Sequence, residues 1–192
     1  IRASDYRIVL GTDRRWEVLW PKGHRQDLIC GFGGAEEIPK GAVIRPGDIF
    51  ISGKGRSFVW AQTGGLVIGG NGVNMVQRMS GGRFEGRGNH DTVVGLDGGV
   101  FFGGDGADAV IWVHDGARFI AGRGADAVWY MYGGVFRGKR GADSIGYMSD
   151  GTFYGGNGPD LVLRYLAGEL ISAQPRNAEA CPGQKRYNGT SP

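Results

Sequence analysis

Catalysis usually needs clustered reactive side chains, and this chain has few. Histidine occurs three times in 192 residues, at His24, His90 and His114. Outside one regular row of aspartates, no paired carboxylates stand out, so an enzyme is not expected. Cysteine is limited to Cys30 and Cys181. Two thiols allow one disulfide or none, and they fix no redox compartment. Proline is scarce, at 7 residues, no Gly-X-Y period exists and apolar residues make up 41%, so collagen and a disordered linker are both poor fits. No apolar run approaches the ~20 residues that cross a bilayer, and no signal-peptide pattern opens the chain, so no membrane insertion is expected. The net charge is only +3, with a pI near 9.0, and the basic residues are spread along the chain. Nucleic-acid binders gather such charge on one face, so a nucleic-acid partner is not expected. The chain opens on Ile1, which reads as a processed product or a piece of something longer.

Glycine is abundant, with 39 residues, roughly three times the usual share of about 7%. It occurs among many Val, Ile, Phe and Trp residues, a mixture suited to tight turns between short buried strands. The segments GNGVNMV, GNHDTVV, GDGADAV, GRGADAV, KRGADSI and GNGPDLV align as repeats. Their shared slot holds Asn74, Asp91, Asp108, Asp126, Asp143 and Asp160, and Ser57 stands one step earlier. The spacing is 17 residues throughout, except for 18 between Asp108 and Asp126, with the extra residue expected near Ala117–Arg118.

Three apolar columns accompany the slot. Two residues after it come Val59, Val76, Val93, Val110, Val128, Ile145 and Val162. Five after it come Met79, Leu96, Val113, Met131 and Met148, with Gln62 breaking the pattern in the first coil. Seven before it lie Phe50, Val67, Phe84, Phe101, Phe119, Phe136 and Phe153, so six of the nine phenylalanines share one register. One coil offers about three inward side chains, too few for a core, but stacked coils merge them into continuous ladders. The expected fold is all-β, a parallel β-solenoid (β-roll or β-helix) of seven to eight 17-residue coils. At a coil spacing of about 4.8 Å it forms a rod of ~35–40 Å. The solenoid is expected over residues 40–172. Residues 1–39, with alternating stretches at Tyr6–Leu10 and Trp16–Trp20, are expected to form a small β cap over its open end. Residues 173–192 read as a polar tail.

The segment Gly103–Ile111, GGDGADAVI, resembles the glycine-rich nonapeptide GGxGxDxUx of RTX (haemolysin-type) calcium-binding repeats, where U is a large apolar residue. Gly155–Leu163 fits the same pattern, and Ala121–Trp129 fits with one glycine lost. The resemblance covers about residues 53–163. It implies a parallel β-roll, secretion from a bacterium, and Ca²⁺ held between successive turns by Asp carboxylates and backbone carbonyls. This chain departs from the pattern in keeping the Asp in alternate nonapeptides only: Trp112–Ile120 places Phe119 in the apolar slot and has no carboxylate ligand.

Stacked aspartates about 5 Å apart repel, by ~1 kcal/mol per neighbouring pair in water and about 3 kcal/mol at an effective dielectric of 20. Three arrangements answer this. Calcium can sit between Asp91, Asp108, Asp126, Asp143 and Asp160, with Asp105 and Asn157 as added ligands. Arg87, Arg123 and Arg140, a few residues before Asp slots, can neutralise the row. Each Asp can instead turn inward and cap the N–H groups of its own turn, a role that Asn74 and Ser57 also suit.

The outward positions offer a second candidate surface. Trp60, Trp112, Trp129, Tyr130, Tyr132, Tyr147 and Tyr154 fall outside the core columns, with Arg78, Arg118, Arg137 and Arg164. Rings beside arginines suit a surface glycan or a protein partner, and burial in a homo-oligomer or a larger parent chain is the other use of such a face. No row of threonines exists to form an ice-binding face. Two function classes follow: a calcium-binding extracellular scaffold or adhesive stalk, and an attachment or tip domain such as that of a phage tail fibre or spike. Both place the chain outside a cell or on a virion surface. A polysaccharide-modifying β-helix enzyme ranks third.

Overall fold

The computed structural model describes residues 7–10, 16–19, 28–30, 43–52 and 56–171. All secondary structure among them is β, and it forms the expected parallel solenoid. Two columns of strands run along the axis. The first, here the valine sheet, contains Val43–Ile44, Ser57–Gln62, Asn74–Met79, Thr92–Leu96 and Ala109–Val113, and ends on Leu161–Tyr165. The second, the phenylalanine sheet, contains Leu28–Cys30, Ile49–Ile51, Leu66–Ile68, Arg83–Gly88, Gly99–Asp105 and Ala117–Arg123, and ends on Glu169–Ile171. The long strands Ala127–Arg140 and Ser144–Asn157 bend from one sheet into the other.

Neighbouring coils pair in parallel, with like residue over like: Val93 pairs with Val76 and Val110, and Phe119 with Phe101 and Phe136. The inward columns therefore fuse into one buried cluster from Ile44 to Phe153. From Phe84 to Phe153 the rings stack with centroids 4.7–4.9 Å apart and planes within 5–19° of parallel. That distance is the spacing between paired strands, so the backbone ladder itself sets the ring stack. Gln62 is fully buried at the end of the methionine column, where its Nε2 donates to the Arg83 carbonyl at 3.0 Å.

Glycine recurs at one column of the turns, with Asn89 at φ 70° as the exception. Gly106, Gly124 and Gly141 have φ of 142–143°, and the point where each Cβ would sit is occupied by a carbonyl oxygen of the coil before. The longer coil differs slightly from expectation. Leu96 and Val113 pair at an offset of 17, but Gly99 and Ala117 at 18, so the extra residue lies within His114–Gly116. Gly116, with open space around it, lets this turn bulge outward.

Arg7–Leu10 and Trp16–Leu19 pair antiparallel, as their alternation suggests. Leu28–Cys30 pairs with Ile49–Ile51 and so begins the phenylalanine sheet. The rest of the expected cap, the polar tail and any pairing of Cys30 with Cys181 lie outside the described residues.

Candidate functional site

The aspartate slot faces the interior. Asp91, Asp108, Asp126 and Asp143 are buried, as is Asn74. Each Oδ1 accepts the backbone N–H of the equivalent residue one coil earlier: Asn74 to Asp91 at 2.8 Å, Asp91 to Asp108 at 2.8 Å, Asp108 to Asp126 at 2.7 Å, Asp126 to Asp143 at 3.0 Å and Asp143 to Asp160 at 3.1 Å. The column is a chain of caps that sews coil to coil. Asn74 begins it, giving a second bond from Nδ2 to Asp91 at 2.8 Å and accepting one from Ser57.

Two sequence expectations are corrected here. The cap does not serve the residue's own turn: Oδ1 accepts the N–H of the equivalent residue in the adjacent coil. The arginines do not neutralise the row either. Arg87, Arg123 and Arg140 are exposed and make no ion pair with it, because they leave the turns outward while the carboxylates leave them inward.

The second carboxylate oxygen is the unusual feature. Oδ2 of Asp91, Asp108, Asp126, Asp143 and Asp160 is buried without a hydrogen-bond partner. At Asp91, Asp108, Asp143 and Asp160 it fills the space that a Cβ would take on Gly86, Gly103, Gly138 and Gly155. Desolvation raises all five acids above the ordinary 3.8, Asp91 to about 6 and Asp108 and Asp143 to about 7. Asp91 stays lower than Asp108, since Asn74 donates two hydrogen bonds to it and His90 lies nearby.

Calcium takes six to eight oxygens. In this column Oδ1 is already engaged by an N–H, while Asp105 and Asn157 are exposed on the turns. Among the described residues, no three His, Cys, Asp or Glu side chains gather at metal-holding range. The bare Oδ2 row is a feature suited to a proton or a cation.

The outer surface divides the predicted aromatics and arginines between places. One outward row of the valine sheet reads Ala61, Arg78, Gly95, Trp112, Tyr130, Tyr147 and Arg164 in strict register. Toward one end, Tyr130, Tyr132 and Tyr147 lie with centroids 6.0–6.4 Å apart, and Arg164 sits 5.5 Å over Tyr147. At Gly95 the row drops to the backbone and a groove of about 480 Å³ opens, flanked by Trp60, Arg78, Asp97, Trp112 and His114. Arg78 Nε bonds Asp97 Oδ2 at 2.6 Å, and His114 Nε2 lies 3.7 Å from Asp97 Oδ1. Trp60 and Trp112 are 54% and 40% exposed, so both rings present a free face.

The other predicted residues lie elsewhere. Trp129, 61% exposed, lies on the valine sheet between Val128 and Tyr130, at a position that the pairing between coils skips. Arg118, Arg137 and Tyr154 belong to the phenylalanine sheet, where Arg137 sits 4.9 Å over Tyr154. Sequence reasoning missed Gly95 and Asp97. The signal for Gly95 was present, as a missing side chain in a column whose neighbours are Arg78 and Trp112.

The chain matches no family model, no curated protein and no solved structure.

Proposed function

We propose that this chain is a non-catalytic attachment module of an extracellular or virion-surface protein, holding a surface glycan in the groove at Gly95. The observation that carries the reading is the outward row itself: a glycine gap between Arg78 and Trp112, with Asp97 and His114 beside it. Aromatic faces stack against sugar C–H groups, and a carboxylate–guanidinium pair offers acceptors and donors to hydroxyls. The rigid backbone ladder holds these groups without an ordering cost on binding, the condition under which weak contacts add up.

The test is binding to a panel of bacterial surface oligosaccharides, followed by titration with Trp112→Ala and Gly95→Leu. A Cβ at Gly95 meets nothing closer than 3.8 Å, so leucine fills the groove without disturbing the coil. Both variants are expected to weaken binding about tenfold or more, equivalent to ~1.4 kcal/mol or above. Undiminished affinity in both would overturn the reading.

A second reading, an RTX-like calcium-stiffened scaffold, is favoured by the bare Oδ2 row. Thermal unfolding in EGTA and across a Ca²⁺ titration tests it. A rise in Tm with Ca²⁺, reduced in Asp108→Ala, supports it, and an unchanged Tm removes it.

A further inference from the structure

On the phenylalanine sheet a different groove, of about 340 Å³, runs over Gly104 and Gly122 and is lined by Phe102, Asp105, Ile120, Arg123, Lys139 and Arg140. Its floor is the middle of one backbone row: Arg87, Gly104, Gly122, Lys139 and Gly156 pair in register from coil to coil, and Gly104, Gly122 and Lys139 of them line the groove. The row adopts left-handed or related positive φ, from 75° at Lys139 to 148° at Gly122. Glycine is the natural occupant of that conformation, and three of the five positions have it. Arg87 and Lys139 accept φ of 79° and 75° instead, conformations that side-chain-bearing residues rarely adopt. Strain kept where glycine would relieve it points to a use for the side chain. Its effect at Lys139 is to set a long cation at one end of a glycine-floored trough.

The cations beside the trough are available. Arg123, Lys139 and Arg140 are exposed, and none forms an ion pair among the described residues, whose pairs involve Arg78, Arg83, Arg87 and His114. Arg123 and Arg140 occupy successive coils of the next row, paired directly, with Asp105 one coil earlier. Phe102 and Ile120, also paired, give the trough an apolar wall.

We propose that this trough is a second binding site, for an acidic saccharide carrying a carboxylate or sulfate. Arg123, Lys139 and Arg140 hold the anionic group, Ile120 takes the apolar face of a ring beside Phe102, one face of which Arg83 covers at 4.1 Å, and Asp105 accepts from its hydroxyls. Adjacent guanidinium and ammonium groups match a carboxylate or sulfate through charge-assisted hydrogen bonds. The carboxylate of Asp105 favours a ligand that alternates hydroxyls with isolated anions, and it repels a continuous phosphate backbone. The site is independent of the groove at Gly95, which lies on the other sheet.

The experiment is calorimetric titration at low salt with polygalacturonate and sulfated dextran oligosaccharides. Neutral dextran and oligothymidylate serve as comparison ligands. Lys139→Gly removes the cation and gives the row the residue it has at Gly104, Gly122 and Gly156, so this variant folds at least as well as the parent. Arg140→Ala removes a second, exposed cation. One of the acidic oligosaccharides is expected to bind, with affinity falling as salt rises and about tenfold or more in each variant, while Gly95→Leu leaves it unchanged. The proposal is overturned by absence of binding to both acidic oligosaccharides, by equal binding of neutral dextran, by tighter binding of oligothymidylate, or by full affinity in Lys139→Gly and Arg140→Ala.

Discussion

The inward aspartate column stands immediately before the strands that carry the outward aromatic row, and the two keep the same strict register, yet they are built on opposite principles. Inside, the slot reads Asn, Asp, Asp, Asp, Asp, Asp from residue 74 to residue 160, with one hydrogen bond repeated from coil to coil. Outside, the row reads Ala, Arg, Gly, Trp, Tyr, Tyr, Arg from residue 61 to residue 164. An inward side chain has its own equivalents above and below, so a change in one coil must suit both neighbours. An outward side chain answers mainly to solvent. Repetition thus marks what the fold requires, and departure from it marks where recognition has room.

Breaking the inner rule should have the largest effect. In Gly124→Ala the new Cβ falls on the Gly106 carbonyl oxygen, at a φ of 143° that alanine rarely adopts. Backbone cannot swing aside as a flexible side chain can, so two coils must separate locally. The expected loss in urea unfolding exceeds about 4 kcal/mol, in the exceptional class of single substitutions. Gly95→Leu, on the outer row, should stay within ~0.5 kcal/mol of the parent. Comparable losses in both would erase the distinction between the two faces.

The same distinction explains what was legible in the sequence. The coil length, the three apolar columns and the parallel stacking were legible because inward residues repeat with the backbone period. The target of the Asp cap was not. A spacing of 17 shows that Asp91 stacks on Asp108, but does not reveal that the N–H of Asp91 lies under the Asp108 carboxylate. Arg87, Arg123 and Arg140 misled for a related reason: proximity along the chain to Asp91, Asp126 and Asp143 says nothing of direction at a turn, where all three arginines are exposed and the carboxylates are turned inward. The groove at Gly95 was hidden because aromatic residues announce themselves singly, whereas an opening is made by an absence.

A milder break of the inner column separates its hydrogen bond from its charge. Asp108→Ala leaves the N–H of Asp91 buried without an acceptor, at an expected cost of about 1–3 kcal/mol. Asp108→Asn keeps an oxygen for that N–H and adds an amide donor, which Asn74 in the same column already directs to the Gly72 carbonyl and to Asp91 Oδ1, so its cost at pH 7 should be near zero. Urea midpoints of the two variants measure the difference. An equal loss in both would mean that the negative charge, and not the cap, holds the coils together.

The pH dependence is the most informative about the bare Oδ2 atoms. Burial raises Asp108 from 3.8 to about 7, so the folded chain keeps a proton that the unfolded chain releases as pH climbs past about 4. The stabilisation from this group is complete below the ordinary value, is lost as pH rises through the folded value, and is gone by about pH 8. Asp91, raised to about 6, and Asp143, raised to about 7, act in the same direction. The Tm should therefore fall between pH 5 and pH 8, in contrast to a chain whose carboxylates are held ionised by partners. Asp108→Asn, which cannot titrate at this position, should flatten that slope by one member's share while leaving the Asp91 cap in place. A Tm that rises over the same interval would mean that the column is held as carboxylates by cations in solution. In that case added Ca²⁺ at pH 8 should steepen the rise, because the cation would then occupy the place of the proton on Oδ2.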